Sequence, residues 1–291
     1  MPHLTRRAWL ASAAATALCT AHALPVRAAV EADFATLESA HGGRLGVAAF
    51  DIASGARLGY RAAERFPMCS THKVLSAAAV LTAVERGRLR LDQRIPYGRA
   101  DLLSYAPITK AHVADGSMTL GALCAAAIDW SDNTAANLLL AQIGGPQGWT
   151  RYARSIGDDV SRLDRTEPTL NSAVPGDPRD TTTPNAMLSN LDTLLLGQAL
   201  TPASRKQLED WMLASSITGA LIKAGVPKTW RVGDKSGSGD NGTRNDVGII
   251  LRPQKAPILA TIYYTASPLD MSGQNKVVAA TAAIIAARFG G

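Results

Sequence analysis

Apolar patterns typical of β-strands occur near the two ends of the chain and not in its middle. Residues 43–50 and 56–60 predict two strands joined by the turn Ile52-Ala53-Ser54-Gly55. Three further runs, rich in apolar and β-branched residues, are separated by Gly, Asn, Asp and Pro. They cover residues 230–236, 244–251 and 258–266. An Ala-rich helical pattern at 275–289 follows them, so the predicted strands are divided between the chain ends.

The segment between the two groups of strands has helical spacing or loop composition throughout. The predicted helices cover residues 70–86, 119–129, 133–143, 146–156, 184–196, 202–214 and 218–224. The pattern predicts an α/β (α+β) fold with an antiparallel sheet built from both chain ends and flanked by helices. A discontinuous α/β domain of residues 30–65 and 215–291 would then lie beside an all-helical domain of residues 66–214. A cleft between the two is the expected place for a site.

Residues 1–28 predict an export signal peptide. Arg6 and Arg7 precede the apolar run Ala8 to Leu18, which is too short to span a bilayer, and the small residues Ala21-His22-Ala23 follow. The segment Thr5-Arg6-Arg7-Ala8-Trp9-Leu10 resembles a twin-arginine signal, with a Sec leader as the alternative. We therefore expect a periplasmic or secreted protein, exported by the twin-arginine route, with no membrane segment after cleavage of the leader.

Charge and cysteine content exclude several classes of function. The formal net charge of +6 falls by two when Arg6 and Arg7 leave, and the remaining basic residues are scattered among acids, so nucleic-acid binding is not indicated. The histidines form no metal-ligand spacing, and no metal is expected. Cys19 lies in the leader, and we expect Cys69 and Cys124 to be buried free thiols. A monomer is the default expectation.

A serine and a lysine three residues apart open the first long predicted helix. Ser70 would lie in its first turn, where unpaired backbone N–H groups and a partial positive charge favour an oxyanion. Lys73 would lie about one turn on and reach the Ser70 hydroxyl. The alternative is an N-cap serine with a lysine that extends to solvent. The apolar residues that follow favour the first interpretation, because desolvation lowers the pKa of a lysine toward that of a competent base.

Two more polar motifs stand at the ends of predicted elements. Ser131-Asp132-Asn133 separates two predicted helices, where a simple helix cap is the alternative explanation. Lys235-Ser236-Gly237 ends a predicted strand. A lysine there commonly protects a strand edge, but the hydroxyl and glycine that follow would let a substrate add itself along the strand.

An irregular stretch at about 162–183 is the longest loop of the predicted helical region, and such loops are usually functional. If residues 167–171 form a helical turn with Pro168 in its first turn, Glu167 and Asn171 face the same way and can hold a water between a base and an amide. Arg165 and Asp180 would close the loop's neck as an ion pair. An ordinary polar loop is the alternative.

In this order the four motifs resemble those of the class A serine β-lactamases, for which Ser-x-x-Lys, Ser-Asp-Asn and Lys-Thr-Gly are typical. The resemblance covers residues 30–291 and includes the run Asp180-Thr181-Thr182-Thr183-Pro184. It implies a β-lactamase/D,D-peptidase-like fold and hydrolysis of the β-lactam amide of penicillins and cephalosporins through a serine acyl-enzyme. A small-molecule β-lactam is the implied partner, and no cofactor is required.

The resemblance also implies a role for each site residue. Ser70 would attack the lactam carbonyl, and either Lys73 or Glu167 acting through water would take its proton. Ser131 would protonate the departing nitrogen, and a Glu167-activated water would hydrolyse the ester. The backbone N–H groups of Ser70 and Ser238 would hold the oxyanion. The implied substrate-binding residues are Tyr105, Asn133, Asn171, Lys235, Ser236, Ser238 and Arg244.

Two departures from the family pattern, a rival enzyme and a non-catalytic alternative bear on this interpretation. Ser236 replaces the usual threonine but keeps the hydroxyl, so function should survive. Gly239 stands where some carbapenem-hydrolysing relatives have a cysteine, which leaves Cys69 without that partner. The rival is a D,D-peptidase that forms a long-lived acyl-enzyme, and Glu167 and Asn171 argue against it because fast deacylation needs an extra base. A non-catalytic sensor would need a membrane segment or partner domain.

Overall fold

The computed structural model describes residues 29–290, so the predicted signal peptide of residues 1–28 lies outside the described part. The strands are β1 (Arg44–Asp51), β2 (Arg57–Tyr60), β3 (Phe66–Pro67), β4 (Arg94–Pro96), β5 (Ser117–Thr119), β6 (Thr181–Thr182), β7 (Arg231–Gly239), β8 (Thr243–Leu251) and β9 (Ile258–Thr265). The α-helices are α1 (29–41), α2 (Lys73–Glu85), α3 (Pro107–Ala111), α4 (Leu120–Asp129), α5 (Asn133–Gln142), α6 (Gly145–Ser155), α7 (Pro184–Leu195), α8 (Pro202–Leu213), α9 (Ile222–Gly225) and α10 (Met271–Phe289).

A five-stranded antiparallel sheet joins the two ends of the described chain. Its order is β2-β1-β9-β8-β7, so the N-terminal hairpin pairs directly with the last strand. In that pairing Val47 lies opposite Ile262. The predicted fold class, with a sheet assembled from both chain ends, is confirmed.

Side chains that alternate along the strands form two apolar clusters, one on each face of the sheet. On one face, Val47 and Ile262 pack in a cluster with residues of α1 and α10. On the other face, Ala48 and Tyr263 join a cluster that continues into α2 and the other helices of the middle segment. Helix α2 is buried from Lys73 to Ala83, which matches its continuous apolar sequence. The helical segment and the sheet thereby share one core.

The structure also corrects the prediction that the middle segment contains only helices and loops. Strand β3 pairs with β6, and β4 pairs with β5, in two short antiparallel ribbons. Strands of two or three residues are too short to show an alternation of apolar and polar side chains, so they could not be predicted from the pattern. Helix α1 was also missed, although Val30, Phe34 and Leu37 have helical spacing and pack against the core. Within residues 29–290, no helix combines the length and apolar content needed to cross a bilayer.

Candidate active site

Ser70 lies in a short 3-10 turn, Cys69–His72, that leads into α2. The predicted helix therefore begins three residues later than its pattern suggested. Cys69 adopts a left-handed backbone with φ of +46°, a conformation that is strained for a residue with a side chain. Strand β7 approaches this turn at Gly237, where a Cβ would lie 2.8 Å from Met68 O. A glycine at this point lets the strand lie against the nucleophile turn.

Lys73 is completely buried, so the interpretation that extends its amine to solvent is wrong. Its Nζ donates to Ser70 Oγ at 2.9 Å and to Asn133 Oδ1 at 2.7 Å, and it pairs with Glu167 Oε1 at 2.9 Å. Burial lowers the pKa of Lys73, and the Glu167 carboxylate opposes that shift. The ammonium is thus moved toward the range in which it can give up its proton.

Ser131 stands between two buried lysines. Its Oγ accepts from Lys73 Nζ at 3.2 Å and from Lys235 Nζ at 3.0 Å, and its backbone is left-handed with φ of +59°. Burial lowers the pKa of Lys235 well below its ordinary value, and the nearby Lys73 lowers it further. The two amines and the hydroxyl form a continuous path between the nucleophile and β7.

The motif Ser131-Asp132-Asn133 also contains a helix cap, which was the alternative explanation for it. Asp132 is the N-cap of α5, where its carboxylate accepts from Ala135 N at 2.9 Å. The same carboxylate accepts from Thr109 N at 2.8 Å and Ile108 N at 3.0 Å, which ties α3 to α5. Asp132 thus fixes the backbone between Ser131 and Asn133. The side chains of these two neighbours both point to Lys73.

Glu167 is buried against the nucleophile. The Ser70 hydroxyl donates to its Oε1 at 3.3 Å, and Asn171 Nδ2 donates to its Oε2 at 2.5 Å. Burial alone would raise the pKa of this carboxyl, but Lys73 and His72 lower it far below the ordinary range. The carboxylate is therefore ionised. The predicted turn is a short 3-10 turn at Thr169–Asn171, and Pro168 precedes it instead of lying in its first turn.

Asn137 on α5 holds the backbone of Glu167 at two points. Its Nδ2 donates to Glu167 O at 2.9 Å, and its Oδ1 accepts from Glu167 N at 2.9 Å. The sequence analysis missed this residue, because a lone asparagine on a helix carries no local signal. The pair of bonds fixes the loop residue to a regular element, which suits a side chain that must keep a defined position.

The neck of the loop is closed by the predicted ion pair. Arg165 Nε donates to Asp180 Oδ2 at 2.5 Å, and Asp180 is 1% exposed. The other oxygen of Asp180 accepts from Asp164 N at 2.7 Å and from Arg165 N at 3.0 Å. At its far side the loop contacts the sheet, since Asp240 N donates to Asn171 O at 2.8 Å. The loop is held at both sides.

We expect Asp180→Asn to lower the free energy of unfolding by about 2 kcal/mol, because an amide cannot accept from all three donors and leaves Arg165 without its nearest countercharge. In the mechanism that the resemblance implies, deacylation should slow more than acylation, since the loop carries Glu167. Chemical denaturation and single-turnover kinetics would measure both effects. Arg179→Ala is the control: Arg179 pairs with Asp177 on the same loop but is 52% exposed, and it should change little. Equal effects of the two variants would contradict this account.

All the substrate-binding candidates except Lys235 line a cleft of about 360 Å³. It is lined by Ser70, Tyr105, Ser131, Asn133, Asn171, Ile217, Ser236, Ser238, Arg244 and Met271. Lys73, Glu167 and Lys235 do not line it but contact its lining residues from beneath. Larger cavities elsewhere, of about 420 to 470 Å³, include none of the predicted site residues, so size alone does not mark the site.

Arg244 reaches the cleft from β8 and is oriented by two neighbours. Its Nη1 donates to Ser238 Oγ at 2.5 Å, and its Nε donates to Asn275 Oδ1 at 2.8 Å. Burial lowers the pKa of Arg244, although it remains the cation nearest to the open cleft among the lining residues. Sequence reasoning missed Asn275, Ile217 and Met271, which lie outside every motif.

The two cysteines of the described chain, Cys69 and Cys124, are buried free thiols, as predicted. Burial raises the pKa of both thiols, so neither is a reactive thiolate. Gly239 lies against this region: a Cβ there would be 2.7 Å from Cys69 Sγ and 2.5 Å from Asn171 O. The strand, the nucleophile turn and the loop therefore meet with no room for a side chain.

Fold and site together define a class of serine hydrolases that work through an acyl-enzyme, in which a lysine and a carboxylate contact the nucleophilic hydroxyl. A sequence profile described as the beta-lactamase enzyme family matches residues 29–289. Beta-lactamase CTX-M-8 of Citrobacter amalonaticus is 50% identical over 256 residues, which are 88% of each chain. Beta-lactamase CTX-M-25 of Escherichia coli is 48% identical over 283 residues, 96% of this chain and 97% of the relative.

The chain is also similar in sequence and in fold to a solved structure. The class A beta-lactamase of the last common ancestor of Gram-negative bacteria is 55% identical, with a TM-score of 0.88, and the match covers 90% of this chain and 99% of that one. The chain therefore belongs to the beta-lactamase enzyme family and is a class A serine β-lactamase. The predicted family and β-lactam hydrolysis are confirmed, and the D,D-peptidase alternative is not favoured.

Proposed function

We propose that the enzyme opens penicillins and cephalosporins through an ester on Ser70 and frees itself with a water activated by Glu167. The observation that carries the proposal is the position of Glu167 Oε1, which is 3.3 Å from Ser70 Oγ and 2.9 Å from Lys73 Nζ. A base at this distance can take the proton of the Ser70 hydroxyl during acylation. It can later take a proton from the water that attacks the ester.

In the proposed acylation, Ser70 Oγ bonds to the lactam carbonyl carbon and its proton passes to a neighbouring base. Lys73 Nζ and Glu167 Oε1 are both within hydrogen-bond distance, so the geometry offers two acceptors. The developing oxyanion is held by the backbone N–H groups of Ser70 and Ser238. The carbon–nitrogen bond then breaks, and Ser131 transfers a proton to the nitrogen. The proton taken from Ser70 passes through Lys73 to Ser131, which restores both hydroxyl and amine and leaves Glu167 ionised for the next step.

In the proposed deacylation, Glu167 takes a proton from a water as the water oxygen bonds to the ester carbon. The ester carbon–oxygen bond breaks, and the proton returns to Ser70 Oγ. Asn171 orients the water: its Nδ2 is committed to Glu167, and its buried Oδ1 has no hydrogen-bond partner within the described protein. That oxygen is available to accept from the water beside the carboxylate.

Substrate recognition uses the remaining cleft residues. Arg244, Lys235 and Ser236 bind the substrate carboxylate, where charge-assisted hydrogen bonds are strongest. Asn133 binds the side-chain amide, and Tyr105, 47% exposed, flanks the mouth of the cleft. We also propose that the enzyme is a monomer.

We further propose that the chain acts in the periplasm or outside the cell, after export by the twin-arginine route. The motif at residues 5–10 supports the route, and β-lactams reach the periplasm before any cytoplasmic enzyme.

We also propose that the chain divides into two domains, one of residues 30–65 and 215–291 and the other of residues 66–214. This division is supported by the sheet that joins the two chain ends.

Benzylpenicillin turnover tests the proposal against a D,D-peptidase. We expect many equivalents of penicilloate per enzyme, with acid-quenched intact-mass spectra that show mostly free protein at steady state. A stoichiometric adduct without sustained turnover would contradict the deacylating role of Glu167.

A further inference from the structure

His72 is a buried residue of the first motif to which the proposed mechanism gives no role. It follows Ser70 and Thr71 on the nucleophile turn, and its side chain is 0% exposed. Its Nδ1 lies 3.2 Å from Ser76 Oγ, and its Nε2 lies 3.6 Å from Glu167 Oε1. One edge of the imidazole therefore faces a hydroxyl and the other faces the carboxylate.

We propose that His72 is a positioning residue for Glu167: a neutral imidazole that carries its proton on Nε2 and directs it at Oε1. The inference rests on the proposed role of Glu167 as the deacylating base. It assigns His72 no proton transfer of its own.

The neighbouring groups select this tautomer. With the proton on Nδ1, the Nε2 lone pair would face a carboxylate oxygen in a site without water screening, which is repulsive. With the proton on Nε2, the Ser76 hydroxyl donates to Nδ1 instead of to His72 O, its other acceptor at 3.2 Å. His72 O then keeps the hydrogen bond from Trp149 Nε1 at 3.0 Å, so no carbonyl is left unpaired.

The imidazole is neutral for reasons of environment. Burial lowers the pKa of His72, Glu167 opposes that shift, and Lys73 on α2 and Lys235 on β7 lower it further. The Cys69 thiol on the same turn lies near Glu167, and Asp132 at the start of α5 acts on Lys73. A neutral donor orients the carboxylate without neutralising it.

His72 would orient Glu167 chiefly during deacylation, the second half of the catalytic cycle. In the resting enzyme Oε1 is in contact with Ser70 Oγ and Lys73 Nζ, and at 3.6 Å the His72 contact is longer than a full hydrogen bond. When Ser70 becomes an ester its hydroxyl hydrogen is gone, and the charge of Lys73 changes with the proton it carries. The Nε2–H of His72 is unaffected by either event, so it keeps facing Oε1 and can close to hydrogen-bond distance while Glu167 takes the water proton.

Two substitutions separate the donor from the ring's volume. His72→Phe keeps a buried ring and removes both nitrogens, whereas His72→Gln can place an amide N–H near the position of Nε2. We expect His72→Phe to slow deacylation about tenfold with acylation little changed, and to move the acid limb of deacylation to higher pH, because a carboxylate that loses a donor has a raised pKa. His72→Gln should recover most of both. Equal slowing by both variants, or a wild-type rate and acid limb in folded His72→Phe, would overturn the proposal.

A measurement on the unaltered enzyme keeps the test independent of how the variants fold. Long-range nitrogen–proton NMR spectra of the histidine rings distinguish the two tautomers and the charged form, and His72→Gln identifies the signal. We expect the Nε2–H tautomer at neutral pH; an Nδ1–H or doubly protonated ring would exclude the proposal. If Glu167→Gln fails to stall the ester, the proposed function itself is wrong. If that variant stalls but His72→Phe deacylates normally, only the role of His72 fails.

Discussion

Ser70→Ala is expected to reduce β-lactam turnover by about 10⁶-fold, the loss found when a serine hydrolase loses its nucleophile. Of the hydroxyls that line the cleft in the described structure, that of Ser70 is the one in contact with both Lys73 Nζ and Glu167 Oε1, which lie beneath it. Lys73 would still donate to Asn133 and pair with Glu167, so the fold should be retained. Nitrocefin hydrolysis measures activity, and thermal unfolding checks the fold.

Ser155→Ala is a matched control for this change. Ser155 is exposed on α6, where its hydroxyl donates to Tyr152 O. The variant should hydrolyse nitrocefin at the wild-type rate. Fast turnover by purified Ser70→Ala would remove Ser70 from the mechanism.

Glu167→Gln is expected to slow deacylation by about 10² to 10⁴-fold, the range of general-base catalysis, while acylation continues in part through Lys73. The amide can keep the hydrogen bond from Asn171 but cannot take a proton from water. Intact-mass spectrometry after mixing with benzylpenicillin should therefore show protein that carries the opened drug. Glu64→Gln, at an exposed residue paired with Arg44, is the control and should leave no adduct.

The pH dependence of deacylation gives a second measure of the same carboxylate. In the folded enzyme Lys73 and His72 hold the pKa of Glu167 below its ordinary value of 4.5, against the effect of burial. The base consequently stays ionised as the pH falls through 4.5, and activity should be lost on the acid side only below that value. Unmodified Glu167→Gln protein at steady state, or an acid limb above the ordinary carboxylate range, would argue against this assignment.

Short-range features of the site could be read from the sequence, because local geometry determines them. Ser70 and Lys73 are three residues apart, so a helical turn brings them together whatever surrounds it. Glu167 and Asn171 are four apart and also meet, although only Asn171 lies within the short turn at Thr169–Asn171. The sheet was predicted because long strands carry clear patterns at both chain ends.

Contacts between distant residues could not be read in this way. Asn137 holds Glu167 from 30 positions away, and Asn275 orients Arg244 from 31 positions away. Each is a single polar residue on a helix, where a solvent-exposed side chain is the default expectation. The burial of His72 beside Glu167 likewise depends on how the loop folds over the nucleophile turn, which no local pattern expresses.

The two amines that meet at Ser131 leave its hydroxyl in a defined state. A serine oxygen has two lone pairs and one hydrogen, and here Lys73 and Lys235 each donate to that oxygen. With both lone pairs engaged, the hydrogen has no acceptor among these partners and can turn outward to an incoming ring nitrogen. In the proposed mechanism, the enzyme thus holds Ser131 as an acid at the cleft wall, with its hydrogen directed away from both amines before any drug binds.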